Sequence, residues 1–271
     1  TSILIEDCLT RGVDVYEGGE RYPELGVNIG QRGCVDAADA FAAIKKLVFD
    51  EKKITMAELI AALDANWQGY EDVQQLCLLA PKYGNDDDYV DDILNDISLR
   101  SNEIIINKPN PAIGKPWRVS RPALTGHYPT GAITGALPNG RNSGMPLCDA
   151  SLSAMAGVDC CGPTALIKSA TKVDQCGSYM DSQVLNMKIS PSMLHSRSSI
   201  NKMQALMKTF FDRGGWHVQF NITGKEELLQ AKEHPDQHKD LVVRVAGYSA
   251  YFVDLPSAVQ DEIINRTEHG L

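Results

Sequence analysis

The hydrophobic positions in the first third of the chain recur at the spacing of an α-helix. Val35, Ala38 and Ala42 stand three and four residues apart, and the apolar stripe continues to about residue 49, which predicts an amphipathic helix. Thr55 and Glu58 have the pattern of a capping box, in which each side chain accepts a hydrogen bond from the other residue's backbone amide. The pattern therefore predicts a helix over 56–66, and further helices over 70–80 and 88–101.

The periodicity changes after residue 108. Prolines and glycines are frequent over 109–163 and apolar runs are short, which predicts mostly ordered loops. This middle segment is varied in composition, so it is not interpreted as a disordered linker. Beyond it the pattern predicts, in chain order, a helix over 199–211, a strand over 216–222, a helix opened by a second capping box at Thr223 and Glu226, a strand over 241–246 that ends at Gly247, and a helix over 257–266 after Pro256.

Composition excludes several classes of protein. The chain has 271 residues, 43% of them apolar, which allows one large or two small domains with a sizeable core. Its net charge of −9 argues against nucleic acid and anionic membranes as partners, because both require a basic surface. No apolar stretch is long enough to span a membrane. Seven cysteines without a Cys-x-x-Cys pair are typical of a reduced compartment, so we expect a cytoplasmic protein, with Cys160 and Cys161 as buried small residues of a packed loop.

Common catalytic and metal-binding motifs are absent. The sequence contains no dinucleotide-binding, P-loop, zincin or nucleophile-elbow pattern. His234 and His238 are four residues apart, but Pro235 breaks the helical geometry that a shared metal ion would need, so we expect a solvated loop. The aspartates from Asp86 to Asp92 are expected at a helix N-terminus, where negative charge is favoured. We therefore predict no metal site in this chain.

One C-terminal segment is far more specific. Residues 244–252, Arg-Val-Ala-Gly-Tyr-Ser-Ala-Tyr-Phe, resemble the radical-bearing loop of glycyl radical enzymes. The resemblance continues, in the order of the family, through residues 43–49, 81–85, 135–141, 162–165 and 212–221. The chain is therefore identified as a member of the pyruvate formate-lyase-like superfamily, in its dehydratase, decarboxylase and lyase branch, and as the C-terminal portion that carries the glycyl radical domain.

Glycine suits a Cα-centred radical for a physical reason. The carbon must be planar so that the unpaired electron spreads into the neighbouring amides, and a side chain would twist or crowd that system. Glycine alone has no Cβ. Taken by itself, a glycine between two apolar runs is better explained by a bulge or a hairpin turn. The resemblance of the residues on both sides favours the radical site.

The resemblance also implies a fold. We expect an α/β structure: the C-terminal part of a ten-stranded α/β barrel of two half-barrels, with the radical glycine on a loop inserted into the barrel and helices outside. Three segments are predicted: a mostly helical barrel segment over 1–108, Gly/Pro-rich loops with an active-site strand over 109–163, and the glycine radical domain over 164–271. Such a piece leaves apolar barrel surface exposed, which favours association with a partner.

The cofactor implied by the resemblance is a glycyl radical on Gly247. A separate activating enzyme of the radical S-adenosylmethionine class would install it, and no metal or organic cofactor is expected in this chain. Arg244, Tyr248 and Ser249 are assigned to the support of the radical loop. In the family, the radical oxidises a catalytic cysteine to a thiyl, which then abstracts hydrogen from the substrate.

The catalytic cysteine is the point where the sequence departs from the family pattern. Residues 33–36, Gly-Cys-Val-Asp, resemble the family's Gly-Cys-Val-Glu motif, which makes Cys34 a candidate thiyl with Asp36 in place of the glutamate. However, Cys34 lies at the head of a helix that relatives place well downstream of the cysteine, and residues 6–19 resemble family sequence that already follows it. We therefore expect a separate chain to supply the Cys-x-Glu loop in a hetero-oligomer, this chain being a subunit or a fragment.

The substrate is expected to be a small molecule. The strand at 121–127 corresponds to a wall of the substrate pocket in relatives, so Leu124 and His127 are pocket candidates; alternatively, Leu124 is strand core and His127 a buried histidine with satisfied hydrogen bonds. The expected activity is that of an anaerobic, oxygen-sensitive radical lyase: a dehydratase, a decarboxylase, or a C–N or C–S lyase. The alternatives are a stand-alone radical donor that repairs an oxygen-damaged enzyme, a fumarate-adding enzyme and a formate acetyltransferase-type enzyme.

Overall fold

The computed structural model describes residues 2–21, 28–109, 111, 116–123, 125–175 and 180–270. Its α-helices are α1 (Cys8–Arg11), α2 (Cys34–Ile44), α3 (Met56–Asp64), α4 (Glu71–Leu79), α5 (Asp88–Ile106), α6 (His127–Ala132), α7 (Gly162–Ala170), α8 (Arg197–Asp212), α9 (Lys225–Glu233) and α10 (Ser257–Asn265). Its strands are β1 (Asn28–Gly30), β2 (Arg118–Arg121), β3 (Met180–Gln183), β4 (Leu185–Ile189), β5 (Val218–Asn221), β6 (Val242–Arg244), β7 (Ser249–Tyr251) and β8 (Glu268–His269). None of these helices is long and apolar enough to cross a membrane.

The strands form two parallel three-stranded sheets and one antiparallel hairpin. The first sheet has the order β1-β2-β3, the second has the order β5-β4-β8, and β6 pairs with β7. Val184 alone separates β3 from β4, so the chain passes directly from the first sheet into the second. The α/β class is therefore observed. The described strands do not close into a barrel, and the ten-stranded barrel stays a prediction for a larger assembly.

The helices predicted in the first third of the chain are confirmed. The Thr55–Glu58 capping box is present: Glu58 N donates to Thr55 Oγ1 at 3.1 Å, and Thr55 N donates to Glu58 Oε2 at 3.4 Å. Helix α2 continues as a π-helical segment over Lys45–Asp50. The aspartates at 86–92 do lie at a helix start, where Asp87 caps α5 by accepting a hydrogen bond from Tyr89 N at 3.0 Å.

Three large apolar clusters and one small one hold these elements together. The main cluster joins α2, α5, α7, β4 and α8 through buried side chains that include Ala38, Leu94, Leu166, Met187 and Phe210. A second cluster lies under α3 and α4 around Trp67, and a third packs the β6–β7 hairpin on α9 and α10. The main cluster also includes Leu152, so it draws on all three predicted segments, whose boundaries stay predictions.

The second capping box was a wrong prediction. Helix α9 begins at Lys225 with Gly224 as its N-cap, and the capping hydrogen bond predicted from the Thr223 side chain is not formed. Thr223 is buried beside it, and Lys225 N donates to Glu268 Oε2 at 2.9 Å instead. The acceptor for the helix start therefore comes from β8, which is remote in sequence, and a local pattern could not indicate it.

The burial of Cys160 and Cys161 was also predicted wrongly, because both residues are exposed. Cys161 is the N-cap residue of α7, and its backbone amide donates to Asn85 Oδ1 at 3.0 Å. The pair lies on the surface because a helix starts there, and helix starts leave backbone donors that need partners at the solvent boundary.

Candidate functional site

Gly247 lies in the turn of the C-terminal hairpin. Strands β6 and β7 pair with Arg244 opposite Ser249, and residues 245–248 connect them. Val245 N donates to the Tyr248 carbonyl oxygen at 2.9 Å. Gly247 has φ = +79°, in the left-handed region that glycine enters without the steric cost of a Cβ. The interruption at Gly247 is confirmed, although β6 ends at Arg244, before the predicted residue 246, because the turn occupies the following residues.

Space around Gly247 also excludes a side chain. A Cβ at this position would lie 2.5 Å from the carbonyl oxygen of Ala123, in the segment that follows β2. The preceding residue, Ala246, is fully buried and packs with Ala123, Ala150 and Val184. The obstacle is a backbone atom in a packed region, so it cannot yield as a flexible side chain would. Backbone conformation and space therefore both require glycine here.

The side chain of Arg244 connects the hairpin turn to the second sheet. Its Nη2 donates to the Gly247 carbonyl oxygen at 3.1 Å, and its Nη1 donates to Ser249 Oγ at 3.3 Å. Its Nε donates to Gln219 Oε1 on β5 at 2.7 Å. Tyr248 contributes its backbone carbonyl to the turn, and its side chain is 43% exposed. The structure thus brings Arg244 and Ser249 together with Gly247.

Asn221, at the end of β5, binds the main chain of Arg244 as a paired strand would. Asn221 Nδ2 donates to the Arg244 carbonyl oxygen, and Arg244 N donates to Asn221 Oδ1, both at 2.6 Å. Asn221 is buried. These two bonds satisfy both backbone groups at the residue that begins the turn, which fixes the start of the turn against the sheet.

A buried charged cluster on the other side of the turn was not predicted from sequence. Arg266 Nη2 donates to the Val245 carbonyl oxygen at 2.7 Å, and Arg266 Nη1 donates to the Arg244 carbonyl oxygen at 3.3 Å. Two carboxylates balance its charge: Glu262, through Nε and Nη2 at 2.8 Å each, and Asp149, through Nη1 at 3.1 Å. The one signal in the sequence was the i,i+4 spacing of Glu262 and Arg266 at the end of the predicted last helix.

His127 joins this cluster from the first turn of α6. It is buried, with Nε2 3.5 Å from Glu262 Oε2. Burial alone would raise the pKa of Glu262, but the charge of Arg266 and the contact with His127 outweigh it and lower that pKa to about 2. The same two carboxylates raise the pKa of Arg266 against the effect of its burial. The cluster therefore holds an ionised carboxylate and a guanidinium beside the turn.

Cys34 and Asp36 are not arranged as the cysteine and carboxylate of a Cys-x-Glu loop. It is the first residue of α2, is half-buried and contacts the main core and Arg121. Asp36 is buried and accepts a hydrogen bond from Cys148 N at 3.0 Å. Burial is the main cause that raises the pKa of Asp36. Asp36 thus ties the 147–150 loop to α2 rather than serving Cys34.

A cavity of about 590 Å³ adjoins the charged cluster. Its walls include Arg266, Glu262 and Asp149, together with Tyr128 and Lys188. Its volume falls in the range of small-molecule sites. His127 lines a smaller neighbouring cavity, which also touches Cys34 and Cys148.

Two other sequence-predicted features have different outcomes. Leu124 lies outside the described residues. His234 and His238 flank a short 3₁₀ turn at Pro235–Gln237. Within the part of the chain that the structure describes, no group of three or more His, Cys, Asp or Glu side chains is arranged to hold a metal ion.

Two family models match the chain. The pyruvate formate lyase-like model matches residues 1–131, and the glycine radical model matches residues 148–253, which include Gly247. Isethionate sulfite-lyase of Desulfovibrio desulfuricans is 41% identical over 274 residues, which cover 100% of this chain and 32% of that protein. Trans-4-hydroxy-L-proline dehydratase of Clostridioides difficile is 40% identical over 98% of this chain and 33% of its own.

Solved structures agree with these matches. The B12-independent glycerol dehydratase from Clostridium butyricum superposes with a TM-score of 0.90 at 36% identity, over 100% of this chain and 34% of that chain. The hydroxyproline dehydratase from Clostridioides difficile gives a TM-score of 0.90 at 39% identity, over 100% of this chain and 34% of its own. The chain therefore spans about a third of the length of the relatives it matches.

Proposed function

The chain belongs to the glycyl radical enzyme family, and on that premise we propose that Gly247 is its radical-bearing residue. The observation that carries this proposal is the contact between Gly247 and Ala123: at φ = +79°, a Cβ would lie 2.5 Å from a backbone oxygen. A hairpin turn that needed only a left-handed residue would not also require this close approach. The site instead admits a carbon with hydrogen substituents alone.

Gly247 gives up one α-hydrogen atom to a separate activating enzyme of the radical S-adenosylmethionine class. The radical, when installed, supplies a hydrogen-atom acceptor on Cα that is delocalised over the two flanking amides. Arg244 donates to the Gly247 carbonyl oxygen at 3.1 Å and Ser249 lies within reach of the same guanidinium, so both residues support the amide that shares the spin. Tyr248 closes the turn through its backbone carbonyl.

The thiol that is oxidised by Gly247 is supplied from outside these 271 residues, by a Cys-x-Glu loop on a partner chain. The geometry of Cys34 supports this step, because it begins a helix and Asp36 two residues later is engaged with Cys148 N at 3.0 Å. The carboxylate of a Cys-x-Glu loop acts as a base on the substrate, so it must be free to reach the substrate group that it deprotonates. Hydrogen transfer then restores the Gly247 α-hydrogen and leaves a thiyl on the partner.

The whole protein acts as an anaerobic radical lyase on a small polar molecule. Relatives with this segment include an isethionate sulfite-lyase, a trans-4-hydroxy-L-proline dehydratase and an indoleacetate decarboxylase. The adjacent cavity, lined by Arg266, Glu262 and Lys188, offers charges of both signs to a polar substrate. His127, buried beside Glu262, positions that carboxylate at the cavity edge.

Oxygen gives a test that needs no substrate. The natively purified protein is activated anaerobically with an iron–sulfur activating enzyme, S-adenosylmethionine and a reductant, and is then exposed to air. Oxygen reacts with the carbon-centred radical and breaks the backbone there, so mass spectrometry should find a C-terminal fragment that begins next to Gly247. Unactivated protein exposed to air is the control. An activated chain that keeps its full mass would contradict the proposal.

A further inference from the structure

The guanidinium of Arg266 joins the hairpin of β6 and β7 to two carboxylates elsewhere in the fold, Glu262 on α10 and Asp149 in the 147–150 loop. Arg266 follows α10, and its side chain is 10% exposed. It donates to the carbonyl oxygens of Val245 at 2.7 Å and Arg244 at 3.3 Å, which are the last two carbonyls before Ala246. No other described side chain donates to both. One planar group therefore bridges both carbonyls, and Asn221 binds the main chain of Arg244 from the second sheet.

The orientation of that group is itself fixed. Glu262 forms a bidentate ion pair with Arg266, in which Nε donates to Oε1 and Nη2 donates to Oε2, both at 2.8 Å. Asp149 Oδ2 lies 3.1 Å from Arg266 Nη1. The same oxygen accepts a hydrogen bond from Asn186 Nδ2 at 2.9 Å, and this bond links Asp149 to β4. Planar fork geometry of this kind is specific to arginine, because the ammonium of lysine is a point charge without parallel donors.

We propose that Arg266 is a positioning residue for Gly247: it clamps the carbonyls of residues 244 and 245 so that the turn stays against Ala123. The clamp acts through Arg244, whose main chain it holds and whose side chain donates to the Gly247 carbonyl oxygen. That carbonyl is conjugated with the glycine Cα, so its hydrogen bond sets the share of spin that stays on Cα. The part of this inference that concerns the radical rests on the proposed function, whereas the clamp itself does not.

The clamp is tested first without any radical. Hydrogen exchange of residues 242–251 is measured by mass spectrometry in the natively purified protein and in Arg266→Lys. Loss of a charge-assisted bond to a buried carbonyl should speed local exchange by about tenfold. Leu59→Ala is the matched control, since Leu59 is buried in the remote α3–α4 cluster and its loss lowers overall stability. The inference predicts faster hairpin exchange in Arg266→Lys and an unchanged hairpin in Leu59→Ala. Equal hairpin exchange in Arg266→Lys and wild type would overturn it.

The second readout is spectroscopic. After anaerobic activation, the electron paramagnetic resonance doublet of Arg266→Lys should form but show broader lines than wild type, because the hydrogen bond to the Gly247 carbonyl is no longer uniform. A purely structural arginine would change the amount of signal and leave its line shape unaltered. A wild-type doublet with identical lines in Arg266→Lys would contradict the effect of Arg266 on the radical and leave the proposed function standing. Absence of the doublet in wild type, with hairpin exchange faster in Arg266→Lys, would contradict the proposed function and leave the clamp standing.

A second variant covers the case in which Arg266→Lys does not fold. Glu262→Gln retains the guanidinium and its carbonyl bonds but removes one of the two carboxylates that orient it. It should speed exchange of residues 242–251 and broaden the doublet in the same direction by a smaller factor. Unchanged exchange in Glu262→Gln would count against the clamp, because this variant removes the bidentate ion pair that orients the guanidinium and leaves Asp149 as its remaining carboxylate partner.

Discussion

Gly33 and Gly247 have nearly the same φ angle and different surroundings. Their φ angles are +73° and +79°. Gly33 is the N-cap of α2, and a Cβ there would meet only Leu147 Cδ1 at 3.6 Å, an ordinary contact. At Gly247, the same atom would lie 2.5 Å from the Ala123 carbonyl oxygen. A positive φ favours glycine at both positions, but a backbone oxygen lies close enough to exclude a Cβ only at Gly247 of these two.

The carboxylates next to these glycines differ as well. Asp36, in the segment after Gly33, is buried with a backbone amide as its partner, and burial raises its pKa. Glu262, beside the Gly247 turn, is buried with a guanidinium, and its pKa falls to about 2. A motif-like stretch at the first site thus forms a helix start, whereas the second is held by charges drawn from distant parts of the chain. Four predictions test this contrast.

The largest expected effect separates the two glycines. Gly247→Ala should abolish both the glycyl radical doublet and oxygen-dependent cleavage, because the added Cβ cannot be accommodated and the hydrogen-bearing carbon is changed. Gly33→Ala should cost about 1 kcal/mol in helix-start strain and keep the signal. Spin counting after anaerobic activation measures both. A full signal in Gly247→Ala, or none in Gly33→Ala, would remove the distinction.

The stability contributions of Glu262 and Asp36 should depend on pH in opposite directions. The folded-state pKa of Glu262 is lowered from 4.5 to about 2, so its stabilising effect is present above pH 4.5 and is lost as the pH falls toward 2. The loss amounts to roughly 3 kcal/mol. The difference in free energy of unfolding between wild type and Glu262→Gln should therefore shrink below pH 4.5.

Asp36→Asn is the matched control for the acid experiment. Because the pKa of Asp36 is raised, its contribution to the free energy of unfolding is greatest in acid and falls as the pH rises. The free energy of unfolding of wild type should therefore decrease relative to that of Asp36→Asn as the pH rises. Denaturant titrations across the pH range give both trends. Trends of the same sign in the two variants would contradict the assigned charge states.

Asn221 tests how firmly the start of the turn is held. Asn221→Ala leaves the half-buried amide of Arg244 without its side-chain acceptor and its carbonyl with Arg266 Nη1 as the remaining side-chain donor, which should lower the free energy of local hairpin opening by about 2 kcal/mol. Hydrogen exchange of residues 242–251 measures this. Asn201→Ala removes the same atoms from an exposed position on α8 and should leave the hairpin unaffected. Equal effects of the two substitutions would show that Asn221 does not pin the turn.

The smallest effect is expected at Cys34. Cys34→Ser should change turnover by less than about twofold, since the residue begins α2 and Asp36 is committed to Cys148 N. Turnover is followed in the activated whole protein with isethionate, trans-4-hydroxy-L-proline, glycerol and propane-1,2-diol, the compounds acted on or bound by relatives. Complete loss of turnover in Cys34→Ser, with the radical intact, would instead assign the thiyl to this chain.

Local signals in the sequence predicted the parts of the fold that local forces determine. The capping box at Thr55, the amphipathic α2 and the break at Gly247 all depend on neighbours within a few residues, and all are observed. The false capping box at Thr223 has the correct residue types, but Glu268 provides the acceptor from a distant strand. Local patterns cannot weigh such a competitor.

The charged cluster illustrates the same limit at the candidate site. Its members Asp149, Glu262 and Arg266 come from a loop, a helix and the segment after that helix, and they meet only in the fold. The sequence placed Gly247 at the centre of the chemistry through its resemblance to a family, while the contact with Ala123 could be seen only in three dimensions. Contacts between residues that are far apart in the chain produce no periodic pattern in a single sequence, so they could not be predicted from it.

The central claim, that Gly247 stores an unpaired electron on Cα, is tested most directly by electron paramagnetic resonance with isotope labels. The natively purified protein, produced with ordinary glycine and activated without oxygen, should give a doublet from the single remaining α-hydrogen. Protein produced with glycine deuterated at Cα should give a collapsed line, and Gly247→Ala should give neither. A signal that is unchanged by deuterated glycine, or that persists in Gly247→Ala, would contradict the assignment of the radical to this residue.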